Sequence, residues 1–325
     1  MRTLEKIISS ARRFGITSLL VGTLAVSPFL SGCGGWGNNP ITPPLQNTIE
    51  ESKPLQGVCY SPFREGQDPN LGIFPIEDEI EEDLSIISGI ASTQRPYGND
   101  STLYEIPRLS DEWGVGCYPA AWISDDKSAN ETEIKRLIEI ANQDYYTTKG
   151  LIVGSEVLLR GDISEAKLEG YISQVNEATE IPVTTAETWN VWLEHPDLAD
   201  AVDYIWIHVH PYWEGISVDD AAEHVIEKWN RVKQAYLGKE VIIGETGWPT
   251  AGYTVGNAVP SEENQKKFLT EFKQLAEENN AKYFFFEAFD ESWKAQYEGE
   301  VGAHWGLYNA DRTPKLAIED IIINK

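Results

Sequence analysis

The feature that most constrains the fold is an alternation of strand-like and helix-like segments that begins at Leu55. A short run of apolar, β-branched or aromatic residues ends in polar or aromatic residues, and an amphipathic helical pattern follows it. Such runs are GVCYSP, ISGIASTQRPYG, WGVGCYPAAW, GLIVGSEV, IPVTTAETW, YIWIHVHPY, EVIIGETGW and YFFFEAFDE. Strands that alternate with helices in this way are parallel and are joined by right-handed crossovers.

Eight such units over about 270 residues predict a (β/α)8 TIM barrel, as one domain over residues 55–325. The helical patterns include EDEIEEDLSII, NETEIKRLIEIANQ, SEAKLEGYISQVNEA, VDDAAEHVIEKWNRVKQAY and ENQKKFLTEFKQLAEEN. An open doubly wound sheet is the alternative fold. That fold usually has a glycine-rich phosphate-binding turn after its first strand, and none follows GVCYSP.

The sixth strand segment, YIWIHVHPY, predicts which side chains point into the barrel, because alternate residues of a strand face opposite sides. The aliphatic set faces the outer helices and consists of Ile205, Ile207 and Val209. The interior set consists of Tyr204, Trp206, His208, His210 and Tyr212. For His208 we expect a hydrogen-bonded core histidine. His210 and Tyr212 lie nearest the barrel mouth, and for His210 a core position and a substrate-binding position both stay open.

Two glutamates end strands in this pattern, and their positions indicate an active site. Glu156 ends the fourth strand and Glu245 ends the seventh. Active sites of such barrels lie at the carboxyl ends of the strands, and the fourth and seventh strands face each other across the mouth. Either glutamate alone could instead form a salt bridge or cap the next helix. As a pair, they can converge over the centre of the barrel.

A pair of carboxyl groups is what the cleavage of a glycosidic bond requires. One carboxylic acid protonates the leaving oxygen, and a second carboxylate attacks the anomeric carbon or activates water. The surroundings must separate the two pKa values so that one group is protonated while the other is ionised. Glu156 follows an aliphatic strand and is the candidate acid, and Glu245 is the candidate nucleophile. This chemistry needs no cofactor.

The overall charge restricts the ligands. The chain has 26 Lys and Arg residues against 52 Asp and Glu residues, a formal net charge of −26. Such a surface repels nucleic acids and polyanionic glycans, so a neutral ligand is expected. The 11 Trp and 14 Tyr residues include candidates for packing against the flat face of a sugar, although most of them should lie in the core.

Several segments resemble glycoside hydrolase family 17, which comprises β-1,3-glucanases and related fungal and bacterial glucanosyltransferases. In chain order they are GSEVLLRGD, TTAETWN, HVHPYW, GETGWPTAG and FFFEAFDESWK, and the resemblance runs from about Gly57 to Trp305. GETGWP and FEAFDE are its most specific parts. The resemblance implies a retaining mechanism on β-1,3-glucan, with Glu156 as acid/base and Glu245 as nucleophile. Hydrolysis is the favoured reaction, and transfer of the glycosyl group to a sugar hydroxyl stays open as the alternative.

The resemblance also implies sugar-binding residues around the cleaved bond. Tyr97, Tyr212 and Glu287 are expected in or near this part of the site. Trp248 and Trp305 are candidates for stacking on a glucose ring, or are packed loop aromatics.

Three further strand-end residues have two interpretations each. Glu187 could bind sugar hydroxyls or orient a neighbour, and Arg95 could bind substrate or hold a carboxylate. Tyr60, at the end of the first strand, could bind substrate or belong to the core.

The chain departs from the usual family pattern before the acid/base. Ser155 stands where an Asn is commonest, and a hydroxyl offers one donor where an amide offers two. This places the contact to the sugar 2-hydroxyl in doubt and supports one alternative, a non-catalytic glucan-binding lipoprotein. Ser292, where fungal relatives have Pro, should matter little.

Metal binding is not expected from the histidines. The five His residues include one HxH pair, His208 and His210, without a third ligand motif. A metal-dependent barrel hydrolase that uses this pair is therefore a further, less favoured alternative.

The amino-terminal segment has the order of a targeting signal. Two arginines precede the apolar run FGITSLLVGTLAVSPFL, which is short for a membrane span and ends in LSGC. LSGC resembles a bacterial lipobox, which implies a signal peptide over residues 1–32 and a lipidated Cys33. Residues 33–54 then form the lipidated cysteine and a flexible linker. Gly34 in place of Asp favours the outer membrane or cell surface, and a tethered monomer is expected.

The other two cysteines, Cys59 and Cys117, fall on the first and third strands. Adjacent strands lie about 4.8 Å apart, so two steps exceed comfortable disulfide reach. Both are expected as free buried thiols.

Overall fold

The protein is described by a computed structural model, over residues 55–319. Its strands form one parallel sheet in the order β3-β2-β1-β9-β8-β7-β6-β5-β4. The strands are β1 (Leu55–Cys59), β2 (Ala91–Arg95), β3 (Gly116–Cys117), β4 (Ala120–Ala121), β5 (Leu151–Ser155), β6 (Val183–Thr188), β7 (Ile205–His208), β8 (Val241–Thr246) and β9 (Tyr283–Phe285).

The two ends of this sheet belong to one interrupted strand. β3 pairs with β2, and β4 pairs with β5. Only Tyr118 and Pro119 separate β3 from β4, and both continue the ladders. The Tyr118 N–H donates to the Gln94 carbonyl at 3.1 Å, and the Pro119 carbonyl accepts from Ile152 at 2.9 Å. The sheet therefore closes as an eight-stranded barrel, and the predicted fold class is confirmed.

Helices cover the outside of the barrel. They are α1 (Glu77–Ile90), α2 (Ile106–Glu112), α3 (Lys127–Ala141), α4 (Val157–Arg160), α5 (Glu165–Asn176), α6 (Trp189–Glu194), α7 (Val218–Ala235), α8 (Glu262–Asn279) and α9 (Ala295–Glu298). Short 3₁₀ segments span Pro69–Leu71, Ser101–Glu105, Pro196–Ala201, Ser292–Lys294 and Glu300–Ala303. The five quoted helical patterns form α1, α3, α5, α7 and α8. Polar side chains start three of these helices by accepting backbone N–H bonds: Asp126, Ser217 and Ser261.

The second strand begins later than predicted. In ISGIASTQRPYG, the residues up to Ile90 form the last turn of α1, and the strand starts at Ala91. Ile87 and Ile90 are buried at helical spacing. A short apolar run fits a buried helix end as well as a strand, which is why the pattern misled.

The buried side chains form two layers. The barrel interior is filled by Cys59, Ala120, Ile152, Ala186, Tyr204, Trp206, Ile242 and Phe284. The layer between sheet and helices contains Ile205, Ile207 and Val209, so the predicted facing is confirmed for these residues and for the interior Tyr204 and Trp206. Tyr212, predicted to face the interior, lies beyond the end of β7 and belongs to the same buried cluster as the aliphatic set. Gly244 is required for this packing, because a Cβ there would lie 1.5 Å from the Trp206 Nε1.

Cys59 and Cys117 are buried and free, as predicted. The predicted signal peptide over residues 1–32 and linker over residues 33–54 lie outside the described residues. Between residues 55 and 319, none of the helices combines the length and apolarity needed to cross a membrane.

Candidate active site

Glu156 owes its direction to an irregular end of β5. The pairing of β5 with β6 shifts register between Ile152 and Ser155, and Gly154 has a φ of 81°. A bulge of this kind re-aims the side chains that follow it. Glu156 itself has a φ of 53°, in the left-handed region that non-glycine residues seldom occupy. Such strain is concentrated at functional sites.

The structure brings Glu156 and Glu245 together. Oxygen atoms of the two carboxylates and a ring nitrogen of His208 all lie within 4.8 Å of one another. Retaining glycosidases hold their carboxyl groups about 5–5.5 Å apart, whereas inverting enzymes separate them by about 6.5–9.5 Å. The spacing observed here is that of a pair in which one carboxylate can attack the sugar directly.

Glu245 is surrounded by donors. Its Oε1 lies 2.7 Å from the Arg95 Nη1 and accepts from the Tyr97 hydroxyl at 2.9 Å, and its Oε2 lies 3.1 Å from the His210 Nε2. Burial by itself raises the pKa of Glu245, but the attraction of His208, the hydrogen bond from His210 and the Arg95 charge outweigh it and hold this pKa well below its usual range. Glu245 is thus kept as an ionised carboxylate.

Arg95 holds Glu245 in place. Its side chain is fully buried, and its Nη2 donates to the Ser155 hydroxyl at 2.9 Å. Its guanidinium also lies 3.9 Å from the centre of the Tyr97 ring. Of the two predicted interpretations of Arg95, the structure favours the holding of a carboxylate. Ser155 enters the site as the partner of Arg95.

His208 connects the two glutamates, a role that the sequence reasoning missed. Its Nδ1 lies 2.8 Å from the Glu156 Oε1, and its Nε2 lies 3.4 Å from the Glu245 Oε1. The residue is 1% exposed, so the expectation of a buried histidine is met, but its ring bridges the catalytic pair. An available signal was its inward-facing position near the carboxyl end of its strand, where it is the last residue of β7.

Glu187 supports the segment after Glu156 and is not placed for sugar binding. It is fully buried and accepts from the backbone N–H groups of Leu158, at 2.7 Å, and Leu159, at 3.4 Å. These donors belong to the first turn of α4. Burial raises the pKa of Glu187 to about 8, although the Leu158 hydrogen bond opposes the change. The geometry therefore favours the interpretation in which Glu187 orients its neighbours over the one in which it binds sugar hydroxyls.

Glu287 lies in a second buried cluster, which includes Lys294 and Glu291. Lys294 Nζ lies 2.9 and 2.7 Å from the two Glu287 oxygens, and it also pairs with Glu291. Burial raises the pKa of Glu287 well above its usual value, against the pull of Lys294. The ring of Phe286, the residue before Glu287, has its centre 5.2 Å from that of His210, which contacts Glu245, so this cluster lies beside the surroundings of Glu245.

Three predicted sugar-site aromatics are almost fully buried, two of them in the floor of the mouth. The Trp305 ring centre lies 5.4 Å from that of His210 and 5.6 Å from that of Tyr212. The Tyr212 hydroxyl donates to the Tyr253 carbonyl. Trp248 packs further out and donates from Nε1 to the Val259 carbonyl at 3.0 Å. For Trp248 the structure therefore favours the packed loop aromatic.

Tyr60 is also a packing residue. Its side chain is fully buried, and its hydroxyl donates to Asp83 Oδ2 at 3.2 Å. Arg312 binds the same carboxylate at 2.7 Å. Of the two interpretations of Tyr60, the geometry favours the core position, because both its ring and its hydroxyl are occupied within the protein.

The spacing of Glu156, His208 and Glu245 is one at which side chains could hold a metal ion. Arg95 and Tyr97 already bind the same Glu245 oxygen. A cation 2.7 Å from a ligand atom opposes the binding of a second cation. The donor set therefore fits a hydrogen-bonded carboxylate pair better than a metal centre.

Comparisons with known proteins agree with this site. The family model described as the BtgE/BtgC glycoside hydrolase domain matches residues 57–306. The chain is 30% identical over 311 residues to the putative glucan endo-1,3-beta-glucosidase btgC of Aspergillus niger. That match covers 85% of this chain and 45% of the relative, so the chain spans a little under half of the relative's length.

Two solved structures of a glycoside hydrolase family 17 beta-1,3-glucanosyltransferase from Rhizomucor miehei are similar to the chain. One has a TM-score of 0.72 at 32% identity, and covers 82% of this chain and 97% of that chain. The other, an active-site mutant in complex with laminaritriose, has a TM-score of 0.71 at 31% identity, and covers 81% and 96%. The chain therefore belongs to the family of the BtgE/BtgC glycoside hydrolase domain, and the resemblance to glycoside hydrolase family 17 is confirmed.

Proposed function

We propose that the protein is a retaining glycoside hydrolase that cleaves β-1,3-glucan. The observation that carries this proposal is the pair formed by Glu156 and Glu245, whose oxygens lie within 4.8 Å at the carboxyl ends of their strands. The names of the relatives, a glucan endo-1,3-beta-glucosidase and a beta-1,3-glucanosyltransferase, support the substrate class. A neutral glucan also suits a chain with a net charge of −26.

The reaction takes two displacements. In the first, a Glu245 oxygen attacks the anomeric carbon while Glu156 gives its proton to the glycosidic oxygen, which leaves as an alcohol. In the second, Glu156 takes a proton from water, and the water oxygen attacks the same carbon and releases Glu245. Two inversions at one carbon retain the β configuration.

The buried donors around Glu245 explain how it stays ready to attack. Arg95, Tyr97 and His210 fix its two oxygens and favour the ionised form. Glu156 has a side chain that is 23% exposed, which leaves it accessible to the leaving group and then to water. The two carboxyl groups thus have different surroundings, as the acid and nucleophile roles require.

A time course on laminarin tests the proposal, with NMR detection of the anomer that is released first. We expect β-configured products from the wild-type chain and a loss of at least about 10³-fold in kcat for Glu245→Gln. Glu240→Gln, an exposed residue just before the start of β8, is the matched control and should keep full activity. No turnover by the wild type, with laminarin binding intact, would instead establish a non-catalytic glucan-binding protein.

Transfer to a sugar is a second candidate function, because the Rhizomucor miehei relative at 32% identity is named a beta-1,3-glucanosyltransferase. In transfer, a sugar hydroxyl replaces water in the second displacement. Products longer than the starting oligosaccharide, formed from laminari-oligosaccharides of one length, would show that transfer competes with hydrolysis.

We also propose that Cys33 anchors the protein by a lipid to a bacterial membrane, with the catalytic domain as a tethered monomer. The LSGC motif after the apolar run supports this proposal. Metabolic labelling with radioactive palmitate should mark the wild-type chain and leave Cys33→Ser unlabelled. Equal labelling of both would overturn the anchor.

A further inference from the structure

Trp122 is a large exposed aromatic at the mouth of the barrel that the mechanism does not use. It directly follows β4, at the edge of the barrel where Glu156 and Glu245 lie, and it is 40% exposed. Exposure of a single Trp is common on a protein surface and carries little by itself. Trp122 is distinguished by the contacts that hold it in place and by its neighbours.

The backbone of Trp122 is held against the loop that carries Tyr97. Its N–H donates to the Glu133 Oε2 at 2.9 Å, and Asn99 N–H donates to the same oxygen at 3.1 Å. A Cβ at Gly98 would lie 3.4 Å from the Trp122 Cβ, so the loop after β2 runs close beside the Trp. Glu133 thus ties two mouth loops together and fixes the base of the Trp122 side chain.

The ring of Trp122 is held from the side of Glu156. The Arg160 guanidinium lies 4.4 Å from the ring centre. Arg160 donates to the carbonyls of Ser155 and Ile123, the latter at 2.8 Å, and pairs with Asp162 at 2.7 Å. Because Ser155 immediately precedes Glu156, Arg160 links the aromatic ring directly to the backbone of the acid/base segment.

We propose that Trp122 is a binding platform for a glucosyl unit of the β-glucan chain, beside the unit that is cleaved. This inference rests on the proposed function. A neutral sugar ring presents C–H groups that pack on the negative face of an indole, and a ring that is already immobilised loses little entropy on binding. The platform is continuous with the catalytic mouth through Arg160 on one side and the Tyr97 loop on the other.

The chain offers a matched control in Trp113. It is also 40% exposed, but it lies just before β3, at the opposite end of the same interrupted strand. We expect Trp122→Ala to raise KM for laminarin about three- to tenfold with a smaller change in kcat, and Trp122→Phe to lie between Trp122→Ala and the wild type. Trp113→Ala should equal the wild type. The thermal midpoint of each variant shows whether it is folded.

A second measurement separates this inference from the proposed activity. In the Glu245→Gln background, Trp122→Ala should weaken laminarin binding by a similar factor in affinity electrophoresis, and Trp113→Ala should not. Unchanged KM and unchanged binding for Trp122→Ala, or equal losses for both Trp variants, would overturn the platform. Absence of turnover by the wild type would contradict the proposed hydrolase activity. The comparison of laminarin binding between the two Trp variants would still decide the role of Trp122.

Discussion

Individual residues set the ionisation state of Glu245 on β8. One of them, Arg95, lies on another strand, β2. It is a buried cation 2.7 Å from Glu245, and it lowers the pKa of that carboxyl together with His208 and His210. Arg95→Gln keeps a donor but removes the charge, so the pKa of Glu245 should rise. Since Glu245 must be ionised to attack, the acidic limb of the kcat/KM profile should move to higher pH, and a pH series on laminarin measures it.

Ser155→Ala is the control for this prediction, because it removes the hydroxyl that accepts from Arg95 and keeps the charge. Its acidic limb should stay in place. Its stability should fall by about 1–3 kcal/mol, because a buried guanidinium N–H loses its partner. If the acidic limb of the kcat/KM profile moved in Ser155→Ala and stayed in place in Arg95→Gln, the Arg95 charge would not be what lowers the pKa of Glu245.

The sequence placed two residues together from their strand-end positions and motifs. Glu156 and Glu245 converge as the alternation of strands implies. For Tyr60 the sequence left two interpretations open, because a strand-end position does not tell whether a side chain turns to the mouth or to a helix, and here Asp83 on α1 takes its hydroxyl. His208 was undervalued because its two partners come from other strands, and one sequence shows no such contacts.

Among the elements, the four-residue helix α4 connects Glu156 to the sheet. Glu187, on β6, accepts from its first N–H groups, those of Leu158 and Leu159. Glu187→Ala leaves these donors unpaired and loosens the segment that begins at Glu156. We expect kcat on laminarin to fall about 10- to 100-fold with little change in KM, because misplacement of the acid affects the transition state most. Steady-state kinetics on the purified variant provide the measurement.

Glu194→Ala, at the exposed end of α6, is the matched control and should behave as the wild type. An increase in KM with unchanged kcat in Glu187→Ala would instead favour direct binding of sugar hydroxyls by Glu187.

The periodic patterns predicted the long helices correctly, and the irregular elements escaped them. The break between β3 and β4 comes at Pro119, which cannot donate an N–H to a ladder. The bulge before Glu156 depends on Gly154, whose Cβ would lie 2.5 Å from Val157 Cγ2 and whose φ is 81°. Such features arise from close packing in three dimensions, so the pattern of apolar residues alone does not show them.

For the whole molecule, composition and architecture point to the same ligand class. The net charge of −26 disfavours anionic partners, and the described barrel places each of its buried cations beside a carboxylate: Arg95, Lys294, Arg312 and Lys315. These cations are therefore neutralised within the protein. The acidic surface and the neutralised interior charges together suit a neutral polysaccharide. The charge count alone could only suggest this conclusion.

The same excess of carboxylates predicts how stability depends on pH. Burial raises the pKa of Glu133 and that of Glu298 to about 7 and the pKa of Glu187 to about 8, against backbone N–H hydrogen bonds at Glu133 and Glu187 and against the Lys294 charge at Glu298. An unfolded glutamate ionises near pH 4.3, so between about pH 4.5 and 8 the folded chain binds more protons than the unfolded chain. The free energy of unfolding should therefore fall by several kcal/mol as the pH rises through this window. Repulsion within a chain of net charge −26 acts in the same direction.

Urea denaturation at pH 5.5 and at pH 8 measures this change. Glu187→Gln removes one of these three titrating groups, so its free energy of unfolding should depend less on pH than that of the wild type, whatever its absolute value. Glu240→Gln changes an exposed carboxylate and should keep the wild-type dependence. A free energy of unfolding that rises from pH 5.5 to pH 8 would show that these three glutamates are ionised in the folded protein, with their hydrogen bonds and the Lys294 charge, and not burial, as the dominant influence.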